Sequence, residues 1–420
     1  MEKFVINGGN RLNGQIKVSG AKNSSLPILT AAILAEGDYV ISNVPNLMDV
    51  RTMLKLLAGI GFEYQFKDNI VYLKNSGDDN LYIAPYELVK TMRASVLVLG
   101  PLLAKKGRAK VSLPGGCAIG ERPVDQHIKA LAQMGAKIDI EHGYIIAEVD
   151  KLKGAEIYFD LVTVTGTENI MMAAVLAEGE TVLYNAAQEP EVVDLAKFLK
   201  KMGAKITGEG TNVITIKGVS KLSPQPYTVI PDRIEAGTIL CAVAGVGGDV
   251  LVEDAPVDSM KATIDKLVET GCQIDIINNS SIRVKSDGVL RSADVVTQPY
   301  PGFATDMQAQ FMAIMTKGKG ISVITENIFE NRFIHVAELK RMGADIRLKD
   351  RSAIIKGVEK LSGADVMASD LRASAGLVIA GLMADGVTNI HRIYHLDRGY
   401  ELFDRKLNLL GADIKREKDE

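Results

Sequence analysis

A helix that ends in a glycine and runs straight into an alternating strand recurs six times along this chain, and that recurrence limits the fold more than any other feature. The glycines are Gly61, Gly135, Gly203, Gly271, Gly343 and Gly411, in LLAGIGFEY, LAQMGAKID, LKKMGAKIT, LVETGCQID, LKRMGADIR and LNLLGADIK. They stand 74, 68, 68, 72 and 68 residues apart. Glycine suits the position just past a last helical turn because that position needs a positive φ, where a side chain is strained. Fixed spacing of this kind marks copies of one supersecondary unit. Upstream in each copy a second apolar helix also ends in a glycine turn before a strand, as in ILAEGDYVI, VLAEGETVL and LMADGVTNI. One unit therefore reads β-α-β-α-β-β, an α/β class.

Five copies finish with a hairpin strand and a turn-like tail, such as IIKGVEKLSGADV. The sixth runs out at IKREKDE, and FVINGGNRLNGQIKV at the other end of the chain has the missing strand-turn-strand pattern. The N-terminus is thus expected to complete the last copy. That places residues 1–21 and 230–420 in one three-copy domain, with residues 22–229 inserted as a second, joined by a double crossover through PQPYTVIPDR. A chain of 420 residues exceeds what one core usually supports, so two domains are also the expectation from length. The double crossing suggests a hinge, and closure on a ligand is expected.

Bulk properties exclude several functions. A net charge of −3 and a pI near 6.1 leave no general basic field, so neither nucleic acid nor an anionic membrane is an expected partner. The start, MEKFVINGGN, has no apolar signal core, and the longest apolar stretches, such as SVLVLGPLLA, are half a membrane span. A cytoplasmic protein is expected. Cys117, Cys241 and Cys272 are odd in number and match no zinc or redox spacing, so no disulfide framework or structural metal is expected.

Chemistry is sought where one copy fails to match the others. Four copies place 24 or 25 residues between their two glycine landmarks, as from Gly179 to Gly203, whereas Gly107 to Gly135 takes 28. Aligning PGGCAIGERPVDQHIKALAQMG with AAQEPEVVDLAKFLKKMG puts the extra residues at 117–120, so Cys117 lies in an inserted, glycine-flanked loop. Insertions on one loop of a repeat commonly carry function. Arg122 lies five residues on, and a nearby cation lowers a thiol pKa toward reactive values. Cys241, in ILCAVAG, reads as a small buried hydrophobe, and Cys272 as structural.

A second departure concerns helix starts. Arg93, Arg233 and Arg372 each stand fourteen residues before a copy's first glycine landmark, with Lys22 one residue further upstream. Cations there oppose the helix dipole, and an anionic ligand would resolve the conflict. The bland alternative is an ion pair between each arginine and its own neighbour, Asp232, Glu235, Asp370 or Asp397. Arg122, Arg332 and Arg398 lie in the other family of strand-to-helix loops. The fifth copy instead has Thr305 and Asp306 near its helix start. Asp306 reads as a helix cap or, among several cations around anionic substrates, as a general base.

Taken in order, SGAKNSS, LPGGCAIGERPVDQHI, FATDMQAQF, TENIFENRF, DLRASAG and DRGY resemble the enolpyruvyl transferases, in particular those whose acceptor is UDP-N-acetylglucosamine. The resemblance runs end to end. It implies an inside-out α/β barrel fold with two domains of three repeats. It further implies transfer of the enolpyruvyl group of phosphoenolpyruvate to the 3-hydroxyl of UDP-N-acetylglucosamine, with release of phosphate. This is the first committed step of peptidoglycan synthesis. No metal or organic cofactor is implied.

By motif, Cys117 would be the proton donor, able to form an adduct with phosphoenolpyruvate and open to alkylation by fosfomycin. Lys22 and Asn23 would contact phosphoenolpyruvate, with Arg122 and Arg398 holding its phosphate and carboxylate. Arg93, the run Arg122, Pro123, Val124, Asp125 and Gln126, and Asp306 and Ile328 match positions that bind the nucleotide sugar. Asp306 would be the base for the sugar hydroxyl, and Arg332 and Arg372 would complete the electrostatic lining. Thr163 is a further candidate contact, in LVTVTGTEN, whose composition departs from many relatives. The branch that uses 3-phosphoshikimate lacks the PGGCAIG loop. A non-catalytic UDP-sugar sensor has no need of Lys22, Cys117, Asp306 and Arg398 together.

Overall fold

The structure, a computed structural model, describes residues 2–78, 80–90, 92–113 and 124–419. The chain divides into two compact units, one formed by the residues up to Ser19 and those from Pro231 onward, the other by Gly20 to Ile230. Each contains three four-stranded sheets. Every sheet is built alike. A short leading strand lies parallel to the strand that follows the first helix, and a hairpin adds two antiparallel strands, the last strand lying inside the third. Among the described residues no sheet closes on itself into a strand barrel.

The first helix of each copy faces inward. In the Gly20–Ile230 unit these are α1 (Lys22–Ala31), α2 (Leu99–Lys106) and α3 (Val164–Ala174); in the other unit they are α4 (Arg233–Val246), α5 (Gln308–Met315) and α6 (Leu371–Met383). Every residue of α5 is buried, as is all of α6 except its first. Helices apolar on all sides suit only such a central place. Within each unit they pack on one another and on the inner faces of the sheets. Close approach of α5 and α6 needs Gly376, where a Cβ would sit 2.8 Å from the Ala309 carbonyl oxygen. The second helix of each copy is amphipathic and lies outside: Pro190–Lys201 buries Val192, Leu195, Phe198 and Leu199 and exposes Lys200 and Lys201 at its end.

All six landmark glycines have positive φ, from 94° at Gly271 and Gly343 to 113° at Gly203. Each directly follows the C-cap residue of an outer helix. In the last copy the Gly411 N–H bonds the Asn408 carbonyl at 3.0 Å and the Ala412 N–H bonds the Leu407 carbonyl at 3.1 Å. This paired pattern closes a helix that stops on a left-handed residue. The chain start behaves as the repeat pattern requires. Strand Glu2–Asn7 lies between Val387–His391 and Asp413–Lys418 as the last strand of the sixth sheet. Strand Leu12–Lys17 is the leading strand beside Gly248–Glu253. In the other unit Tyr227–Thr228, from PQPYTV, supplies the leading strand of the first sheet.

No helix among the described residues is long and apolar enough to cross a membrane. Cys241 and Cys272 are buried free thiols. Burial pushes both thiol pKa values up, Cys272 to about 12, which removes them as nucleophiles.

Candidate active site

The helix starts lie where the spacing places them. Lys22 and Arg233 are the first residues of α1 and α4, Arg372 the second of α6, and Arg93 opens a 3-10 turn, Arg93–Val98, that leads into α2. Lys22 and Arg372 meet carboxylates of the protein itself. Lys22 pairs with Asp49 at 2.8 Å, in the first turn of helix Met48–Gly59, and both side chains are nearly sealed from solvent. Arg372 pairs with Asp306, which comes from another copy.

Near-neighbour pairing is therefore overturned for Arg372. Asp370 caps α6, accepting from the backbone N–H groups of Arg372 and Ala373, and Asp232 caps α4 in the same way. Both are N-caps because a short side chain with an acceptor oxygen reaches the free N–H groups of a first turn. Arg233 stacks over the Tyr300 ring at 5.7 Å.

Asp306 is no cap. Its Oδ1 accepts from Arg332 Nη2 at 2.8 Å, and its Oδ2 accepts from Arg372 Nε at 3.0 Å and Nη2 at 2.8 Å. Both guanidinium groups are buried, while about a quarter of the carboxylate side chain is exposed (24%). Burial alone would raise the Asp306 pKa, but Arg372 and Arg332 outweigh it and hold the carboxyl well below the usual range. It stays ionised at any physiological pH.

The turn beneath Asp306 is held by a residue the sequence reading passed over. The buried Glu326 carboxylate accepts from Thr305 Oγ1 and Thr297 Oγ1, both at 2.8 Å, and from the Ile328 and Phe329 N–H groups. Arg332 Nη1 also donates to Thr305 Oγ1 at 2.9 Å. Gln310 is another: its Nε2 lies within hydrogen-bond reach of the Asp306 carbonyl at 2.8 Å, Thr238 Oγ1 at 3.0 Å and the buried Tyr400 hydroxyl at 3.1 Å. Glu326 and Tyr400 lie within TENIFENRF and DRGY, but only the fold shows their side chains turning inward. Arg398 ends the 3-10 turn Ile393–Arg398, next to His395, whose pKa burial and Arg398 together lower.

In the Gly20–Ile230 unit, Asn23 follows Lys22 in α1, and Thr163 caps α3, its Oγ1 accepting from the Gly166 N–H at 3.2 Å. Val124 is the N-cap of helix Asp125–Gln133, and Asp125 and Gln126 are its first two residues. The Gln126 Oε1 accepts from the Leu161 N–H at 3.3 Å, tying that helix start to the segment before Thr163. Glu168 in α3 is buried; that burial, with Glu191 and Glu189 nearby, raises its carboxyl pKa well above the usual range. Cys117, Arg122 and Pro123 lie outside the described residues.

Among the described residues no group of three or more His, Cys, Asp or Glu side chains could hold a metal ion. The Gly20–Ile230 unit carries Lys22 and Arg93 at its inner helix starts, and the other unit carries Arg233, Arg398 and the Asp306 carboxylate between its two arginines.

Solved structures share this fold. The enolpyruvyl transferase NikO from Streptomyces tendae matches with a TM-score of 0.88 at 23% identity, covering 99% of this chain and 98% of that one. EPSP synthase from Acinetobacter baumannii matches with a TM-score of 0.77 at 21% identity over the whole of both chains. Paired three-copy units of this kind are the enolpyruvyl transferase architecture. The family model described as EPSP synthase (3-phosphoshikimate 1-carboxyvinyltransferase) matches residues 6–407. Sequence relatives narrow this further. UDP-N-acetylglucosamine 1-carboxyvinyltransferase of Trichlorobacter lovleyi is 57% identical over 99% of each chain, and that of Nitratidesulfovibrio vulgaris strain DP4 is 57% identical over 99% of this chain and 100% of its own. The chain belongs to the enolpyruvyl transferase family, within the UDP-N-acetylglucosamine 1-carboxyvinyltransferases.

Proposed function

We propose that the protein transfers the enolpyruvyl group of phosphoenolpyruvate to the 3-hydroxyl of UDP-N-acetylglucosamine, releasing inorganic phosphate, as the first committed step of peptidoglycan synthesis. The observation that carries this reading is full-length identity of 57% to enzymes bearing that name. Both substrates are taken from the cytoplasm.

The reaction is an addition followed by an elimination. The sugar oxygen bonds C2 of phosphoenolpyruvate as C3 gains a proton; the tetrahedral intermediate then loses a proton from C3 and phosphate from C2. Cys117 supplies and recovers the C3 proton. Lys22, Asn23, Arg122 and Arg398 hold the phosphate and carboxylate, which suits cations that can clamp oxyanions through several hydrogen bonds. Arg93, residues 122–126, Thr163 and Ile328 contact the nucleotide sugar.

Asp306 faces the sugar hydroxyl. A carboxylate held at so low a pKa is a weak base toward a neutral alcohol. It therefore orients the hydroxyl first and takes the proton only once C–O bond formation has made that proton acidic. Arg332 and Arg372 act through Asp306, by fixing its orientation and keeping it ionised, and are positioning residues in this scheme.

The test is a phosphate-release assay with both substrates. One phosphate should appear per UDP-N-acetylglucosamine consumed, with none when 3-phosphoshikimate replaces it. Absence of release, or release with the shikimate acceptor instead, overturns the reading.

A further inference from the structure

His127 is the third residue of helix Asp125–Gln133, immediately after the 122–126 run, and its side chain is buried. Its hydrogen bonds fix one tautomer. The Gly100 N–H donates to Asn169 Oδ1 at 2.7 Å, and Asn169 Nδ2 reaches the Val96 carbonyl at 3.3 Å. A backbone N–H can only donate and a carbonyl can only accept, so the Asn169 amide has one possible orientation. That same Nδ2 lies 2.8 Å from His127 Nδ1, which must therefore be the unprotonated, accepting nitrogen. The ring proton is on Nε2, 3.5 Å from Thr165 Oγ1. An imidazolium would set an N–H against the Asn169 amino group, donor against donor. Burial, with Arg93 nearby and Asp125 opposing, lowers the His127 pKa to about 4, in keeping with a neutral ring.

The ring meets Asn169 and Thr165 directly, and through Asn169 three separate stretches of chain are joined. Val96 is in the 3-10 turn that Arg93 opens. Asp125 and Gln126 precede His127 in its own helix. Thr165 and Asn169 are in α3, which Thr163 caps. Gly100, in α2, completes the set, and the contact is so close that a Cβ there would sit 2.4 Å from Asn169 Oδ1.

We propose that His127 is a positioning residue for the acceptor: one buried imidazole, locked through Asn169 and Thr165, sets the mutual placement of Arg93, Asp125, Gln126 and Thr163 and thereby the affinity for the nucleotide sugar. The inference rests on the acceptor reading above. An apolar side chain of similar size would fill the space but would cut the helix start loose from α3 and leave the Asn169 amide, which holds Val96 and Gly100, without the acceptor that fixes it from this side.

The test is calorimetric binding of UDP-N-acetylglucosamine alone, without phosphoenolpyruvate, to wild type, His127→Phe, His127→Asn and Thr165→Val. The phenylalanine variant keeps the volume and loses both ring hydrogen bonds; Kd should rise at least tenfold. The asparagine variant keeps an acceptor near the Nδ1 position and should recover most of that loss. Thr165→Val removes the Nε2 partner with little risk to folding and should raise Kd severalfold. The ¹⁵N spectrum of the wild-type ring should show the Nε2–H tautomer, a readout that bulk stability does not move. Unchanged affinity in both His127→Phe and Thr165→Val, or an Nδ1–H tautomer, overturns the proposal. Failure of the wild type to bind the nucleotide sugar would instead sink the acceptor reading.

Discussion

Replacing Asp306 by asparagine should be costly in a way that separates charge from shape. The carboxylate accepts three hydrogen bonds from two guanidinium groups whose side chains are only 5% and 3% exposed. Asparagine keeps one oxygen, able to serve one arginine, and turns an NH₂ group toward the other, donor facing donor. It also leaves two buried positive charges without their counter-charge. Breaking a buried pair by removing one partner costs about 3–5 kcal/mol. A unit of this size loses about 2–4 °C of Tm per kcal/mol, so the transition of the unit that contains Asp306 should fall by roughly 6–20 °C. Thermal melts followed by circular dichroism would measure it. Inorganic phosphate added to the variant should recover part of the loss, because the freed guanidiniums are well shaped for an oxyanion. The double variant Asp306→Asn with Arg372→Met should lose less than the sum of the single losses, since both act on one network. A fall below about 2 °C, or strict additivity, would refute the account of Asp306 as the counter-charge of this centre.

Fosfomycin should abolish turnover by alkylating Cys117, and Cys117→Ser should be inactive; drug-insensitive turnover or full activity of the serine variant in the phosphate-release assay would remove Cys117 from its role. Gly343→Ala probes a helix end where φ is 94° and a Cβ would meet nothing within 4 Å, so the whole cost is backbone strain, about 1–2 kcal/mol in denaturant melts. A neutral alanine there would mean that φ is not held. His391 has Asp419 Oδ1 2.8 Å from Nδ1 and Asp365 Oδ1 3.3 Å from Nε2, hydrogen bonds that raise its pKa. Its folded pKa lies above the unfolded value of about 6.5, so this stabilisation is complete below about pH 6.5 and lost as pH rises through the folded pKa. An NMR titration of the ring should give a midpoint above 6.5, and His391→Gln should flatten stability across that window; a midpoint at or below 6.5 would exclude the clasp.

Much of this architecture is written locally in the chain. A glycine after a last helical turn meets a demand for positive φ that depends only on its own backbone, and for that reason six such positions could be counted without coordinates. The same holds for the all-apolar inner helices and for the strand pattern at the N-terminus, which takes its place in the sixth sheet beside Asp413–Lys418. Cations at Lys22, Arg93, Arg233 and Arg372 could be placed at helix starts for the same reason, since a helix start is a local event. Their partners could not. Charges pair through space: Arg372 is 66 residues from Asp306, and Lys22 finds Asp49 at the start of the following helix. The nearby Asp370 and Asp232 were already committed to the free N–H groups of their own helices, a competition that spacing does not reveal. Asp306 read as a cap or a base, and only the packing of its turn against Arg332 of its own copy and Arg372 of the next turned it into the counter-charge of two buried arginines. His127, Asn169, Glu326 and Gln310 carry no signal in the sequence because a buried polar side chain is specified by the groups that surround it; those of His127, Asn169 and Gln310 include residues of other copies, and those of Glu326 come from separate turns of its own.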